Sequence, residues 1–176
     1  MKHPLDFIPS ANRKPVFFAF LAGTLIVAAI MQGVGAPLKT SAAPMGIVSY
    51  ELAGTPEGAA SILSSWDGRV REYAAFGLGL DYLFMPTYAL ALALGVLLAL
   101  GRHTGRLASL GNWVGWGSLA AALFDATENL ALWRVLLGEA LSAWPQVAAI
   151  CATIKFALIL IGLGYAVLGG LLPKSR

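Results

Sequence analysis

Four long apolar stretches, separated by short polar links and one longer polar segment, set the pattern of this chain. They run from about Val16 to Gly35, Ala75 to Leu100, Leu110 to Trp133 and Pro145 to Leu172. A hydrocarbon core about 30 Å thick is crossed by about 20 apolar residues in a helix, and each stretch meets that length. Only helices suit them, because backbone groups in lipid must find their partners within the segment. The pattern predicts an all-α membrane protein, a bundle of four transmembrane helices with spans at 16–35, 75–100, 110–133 and 145–172.

Residues 36–74 form the one sizeable segment outside the bilayer. Met45 to Leu52 reads as an extended piece. Thr55, Pro56 and Glu57 read as the N-cap, first-turn proline and first-turn charge of a helix. Ala59, Ile62, Leu63 and Trp66 then recur at helical spacing, with Ser61, Ser64 and Ser65 elsewhere on the wheel. This predicts a short amphipathic helix, either with Trp66 at headgroup depth or with its apolar face packed on the bundle top. The chain shows no internal repeat, heptad or inverted duplication, which argues against a duplicated transporter.

Composition agrees with the pattern. Hydrophobic residues make up 58% and charged residues 12%, against about 45–50% and 25% in soluble domains. The whole chain, 1–176, reads as a single integral membrane domain. Its net charge of +3 would hint at nucleic acid in a soluble protein, but the basic residues flank apolar runs, so no nucleic-acid partner is expected. Lys2, Arg13 and Lys14, then Arg102 and Arg106, then Lys174 and Arg176 fall on one side. The other side carries Lys39, Arg69, Arg71 and Arg134 against Glu51, Glu57, Asp67, Glu72 and Glu139. This bias predicts a multi-pass protein of the cell (inner) membrane with both termini cytoplasmic and 36–74 extracytoplasmic. Small residues at Gly35, Ala36 and Ser41 to Ala43 would also suit cleavage of a signal peptide. The long apolar stretch and long leading segment favour retention as an anchor.

The lone cysteine, Cys151, excludes an intrachain disulfide and a cysteine-based zinc or iron–sulfur site. His3 and His103 sit in a tail and a short loop, so paired intramembrane histidines are not available for haem or copper. No metal or cofactor is expected.

Candidate chemistry lies in ionisable residues at membrane depth, each costing at least about 2.5–3.5 kcal/mol to insert. They are Asp81, Asp125, Glu128 and Lys155. Counting about 1.5 Å per residue from the outer ends places Asp81 about 9 Å deep, Glu128 and Asp125 about 8–12 Å, and Lys155 about 15 Å. Three acids and one amine leave surplus negative charge, which implies a bound proton, a cation or a further partner such as Arg71 or Arg134.

Helical spacing aligns Gly111, Gly115, Ser118, Ala122, Asp125 and Asn129 on one stripe, with Glu128 beside it. Gly77, Asp81, Phe84, Tyr88 and Gly95 align on the second span, and Cys151, Lys155 and Gly162 on the fourth. Pro86 frees the carbonyl of Tyr82. Tyr88 is favoured over Tyr82 because it shares the stripe of Asp81. The candidate ligand-binding set is Asp81, Tyr88, Asp125, Glu128, Asn129 and Lys155; the alternative is a salt-bridge network that fixes helix register.

The layout resembles the EXPERA-type membrane proteins, which include sterol isomerases and small sterol-binding receptors. The residues behind this are Asp81 with Pro86 in GLGLDYLFMPTYAL and Asp125 with Glu128 in LFDATENLAL; the first span departs from that pattern in lacking an acid. The chain also looks like bacterial four-helix membrane proteins of no stated function. The resemblance implies isomerase or sterol-binding activity. From the residues themselves, the leading expectation is a polar site in the outer half of the bilayer that binds a lipid-like or small apolar ligand. The alternatives are an intramembrane isomerase-type enzyme using paired carboxyls, a proton- or cation-coupled carrier acting as an oligomer, and a structural subunit of a larger membrane complex.

Overall fold

The computed structural model describes residues 1–140 and 143–172, and all of their regular structure is helical. Lys174 and Arg176, two of the basic residues used for orientation, lie outside the described residues. The four apolar stretches lie in four long helices, the last ending one residue short of Leu172: α1 (Ser10–Gly35), α4 (Gly68–Leu100), α5 (Gly105–Arg134) and α6 (Trp144–Leu171). Between α1 and α4 lie a 3-10 turn at Ala36–Leu38 and two short helices, α2 (Ile47–Glu51) and α3 (Pro56–Ser65).

Local chemistry sets these boundaries. Thr55 caps α3 by accepting a hydrogen bond from the Gly58 amide at 3.1 Å, with Pro56 at the first helical position. Asp67 does the same for α4, accepting from the Val70 amide at 2.8 Å. Pro86 lies inside α4 without ending it. After α5 the chain passes through a wide turn, Val135–Glu139, in which Gly138 takes a φ of 107° that strains any side chain. Glu139 closes this link by pairing with Arg134 at 2.8 Å and accepting from the Trp144 indole at 2.8 Å.

Two expectations for the loop are corrected or resolved. Met45 to Leu52 is not extended: α2 occupies Ile47–Glu51, entered through Gly46 at a φ of 63°. Trp66 is not a headgroup residue. It is 2% exposed, its indole donates to the Leu38 carbonyl at 3.0 Å, and its ring meets Tyr50 edge-on at 5.1 Å. The apolar face of α3 packs on protein.

Among the described residues, three helical stretches are long and apolar enough to cross a membrane: Ser10–Leu38, Gly68–Leu100 and Trp144–Leu171, with mean hydropathies of 2.1, 2.1 and 2.3. The chain is a membrane-embedded helical protein. The 30-residue α5 has the length but not the apolarity, because glycines, Asn112, Asp125, Glu128 and Asn129 dilute it.

Internal contacts divide the chain into two compact units. Unit 1 comprises Met1–Leu25, Pro86–Leu123 and the part of α6 from Lys155. Its core joins Leu5 to Ala93, Leu94 and Leu97 of α4, with Phe17, Phe20 and Leu119 packed against them. The residues before α1 are therefore folded in and not a loose tail. His3 is 4% exposed, its Nδ1 accepts from the Leu5 amide at 3.1 Å, and the Trp116 indole donates to the Lys2 carbonyl at 3.0 Å. The short-loop His103 is also buried, with its Nε2 donating to the Gly169 carbonyl at 2.7 Å. The small residues of α5 serve these side chains: the His3 ring lies against Gly115 and the Tyr165 ring against Gly111, where a Cβ would collide with either.

Unit 2 comprises Ile26–Met85 and Phe124–Ile154. Its core gathers Leu38, Tyr50, Ile62, Leu63 and Trp66 from the loop with Leu78 of α4 and Leu132 of α5. The Tyr50 hydroxyl donates to the Leu132 carbonyl at 3.1 Å, and burial pushes its pKa up, so it stays a donor.

Candidate functional site

Unit 2 contains a cavity of about 350 Å³ between α4 and α5. On α4 the wall is Ala75, Leu78, Gly79 and Tyr82, which spacings of three and four bring to one face. On α5 it is Asn129, Leu130 and Trp133. Tyr82, Leu130 and Trp133 are 51%, 50% and 41% exposed, so the cavity has an apolar and aromatic rim on the outside of the protein.

Asn129 is the polar centre. It is 2% exposed, and its Nδ2 donates to the Leu78 carbonyl at 3.1 Å and to Asp81 Oδ2 at 2.9 Å. The Leu78 carbonyl can only accept, which fixes the orientation of the amide. Asp81 is half-buried and meets Asn129 through this bond. The Tyr82 hydroxyl donates to the Ala126 carbonyl at 3.3 Å, so two side chains of α4 and α5 are tied across the same gap.

The other candidates are placed as follows. Asp125 and Glu128 are buried on α5 in unit 2, at 2% and 0% exposure. Tyr88 and Lys155 are buried in unit 1, and the Lys155 Nζ lies 4.7 Å from the centre of the Phe156 ring. Tyr82 takes a place on the cavity wall that sequence spacing did not favour. Its signal was its spacing from Ala75, Leu78 and Gly79, not from Asp81. Neither arginine considered as a partner reaches the acids. Arg71 donates to the Leu63 and Trp66 carbonyls at 2.6 and 3.1 Å, closing the end of α3. Arg134 pairs with Glu139 and lies 5.8 Å over the Trp144 ring.

No protein-family model, curated protein or solved structure matches this chain.

Proposed function

We propose that this chain is a four-span membrane protein, both termini cytoplasmic, that holds a lipid-like or small apolar ligand in the cavity of unit 2. The observation that carries this reading is the cavity itself: apolar and aromatic walls around one oriented amide, the composition of small-molecule sites.

Three further observations support α5 as the fourth span. Ser118, Asp125, Glu128 and Asn129 are at most 2% exposed, while Leu110, Trp113, Leu123 and Leu130 are 50–71% exposed; Thr127 is the exposed polar residue between them and Asn112 is half-buried. A helix with polar groups inside and apolar groups outside is matched to lipid. Trp113 and Trp133, both exposed, fall near the two ends of the proposed span, where an aromatic belt at each interface places such residues. Within unit 1 the first parts of α1 and α5 pack with the last parts of α4 and α6, as successive crossings demand. That unit also holds Lys2, Arg13, Lys14, Arg102 and Arg106, which the positive-inside bias puts in the cytoplasm.

Gly79 provides the test, because a side chain added there meets no atom within 4 Å of its Cβ. Gly79→Phe adds a ring at the cavity wall from a position whose Cβ has open space around it. Protein purified in mild detergent and extracted for mass spectrometry retains a defined lipid in the wild type and at least about tenfold less in Gly79→Phe. Equal retention by both overturns the proposal.

A further inference from the structure

The hydrogen-bond inventory of the cavity specifies the ligand's head, on the reading that the cavity binds an apolar molecule. Asn129 has two amide hydrogens, and both are committed, one to the Leu78 carbonyl and one to Asp81 Oδ2. What it offers the cavity is its carbonyl oxygen. Oδ1 accepts no hydrogen bond from any described residue, yet it is not among the fully enclosed polar atoms. Asn129 itself lines the cavity. A buried carbonyl left without a donor is unfavourable, so an occupant that supplies one is selected over one that does not.

The second group is the Trp133 indole. It lines the same cavity, is 41% exposed and makes no hydrogen bond with any described residue. Indole nitrogen only donates. The cavity wall thus includes a residue of α5 with an uncommitted acceptor and, four residues along on the same face, one with an uncommitted donor.

We propose that the ligand is a neutral lipid with a hydroxyl head, which donates to Asn129 Oδ1 and accepts from the Trp133 indole. A hydroxyl does both at one atom. A ketone, ester or ether accepts only, and leaves Oδ1 without a donor. An ionised carboxylate or phosphate also accepts only, and it too leaves Oδ1 without a donor. The volume of about 350 Å³, at the small end of the range of about 300–1,000 Å³ for ligand sites, encloses the head and part of a chain. The rest of the chain passes the open rim of Tyr82, Leu130 and Trp133.

The test uses the full-length protein in phosphatidylcholine vesicles and three matched probes: a long-chain alcohol brominated a few carbons from its head, its methyl ether and the correspondingly brominated carboxylic acid at mildly alkaline pH, where it is ionised. Bromine quenches nearby indoles, and the part of the quenching lost in Trp133→Phe reports the cavity. The alcohol is expected to quench Trp133 saturably, and the ether and the acid to need at least about fivefold higher concentration. Equal quenching by alcohol and ether overturns the hydroxyl assignment while leaving an apolar ligand site in place. Absence of saturable Trp133 quenching by all three overturns the ligand site as well.

Discussion

His3 shows what a single buried ring does in this protein. It lies against Gly115, where any larger residue would expel it, and it anchors the segment whose Lys2 carbonyl receives the Trp116 indole. Burial drives its imidazole from 6.5 down to about 4, with Asp6 opposing and Arg13 adding to the shift. The docked state therefore binds fewer protons than the undocked one. Its stability is complete above about pH 6.5 and falls progressively as the pH drops towards about 4. Trp116 fluorescence, taken as the part lost in Trp116→Phe, is expected to change across that window in the wild type and to stay flat in His3→Gln. A flat wild-type profile would show that the histidine is not buried in this way. None of this was legible from the sequence, because an isolated histidine ahead of a span has no periodicity to announce a partner. The glycines that receive His3 and Tyr165 were legible only as small residues. Asn129 was legible as a member of the polar stripe, since its spacing from Asp125 and its neighbour Glu128 is purely local. Its bonds to Leu78 and Asp81 depend on how α4 and α5 meet, which local spacing does not encode.

Among the elements, those defined by their own caps were read most securely. Thr55, Pro56 and Glu57 announce α3 through interactions that close within one turn. Replacing Thr55 by alanine removes the oxygen that receives the Gly58 amide and is expected to destabilise the helix by about 1 kcal/mol. Hydrogen exchange at the Gly58 amide should accelerate about fivefold in Thr55→Ala. An unchanged rate would mean that the cap contributes nothing. The five-residue α2 escaped notice because so short an apolar run fits either period. It is secured by distant contacts of Tyr50 with Trp66 and with the Leu132 carbonyl. Trp66 was ambiguous for a related reason: an aromatic at the end of an amphipathic helix suits the lipid interface and a protein core equally. The neighbouring Leu38 carbonyl decides for the core. In α5 the mixture of leucine, tryptophan, glycine and acids weakens the apolar signal. Burial then puts Ser118 and the group Asp125, Glu128 and Asn129 inside and leaves Leu110, Trp113, Leu123 and Leu130 outside.

For the whole molecule, membrane character was legible from composition and from the lengths of the apolar stretches, since both follow from the cost of placing polar groups in oil. The same cost explains why large hydrophobic side chains are exposed along the helices, among them Phe18 and Ile26 of α1 and Leu160 and Val167 of α6. The proposed function adds a fourth crossing by α5, and the ligand cavity depends on it, because Asn129, Leu130 and Trp133 must then stand at the outer level of the bilayer. This crossing is tested most directly by single cysteines at the two ends of α5, Thr104→Cys and Leu137→Cys, in a background with Cys151→Ser. Intact cells are treated with a membrane-impermeant maleimide before and after permeabilisation. The account predicts that Leu137→Cys is labelled in intact cells and Thr104→Cys only after permeabilisation. Labelling of both positions from the same side would contradict it.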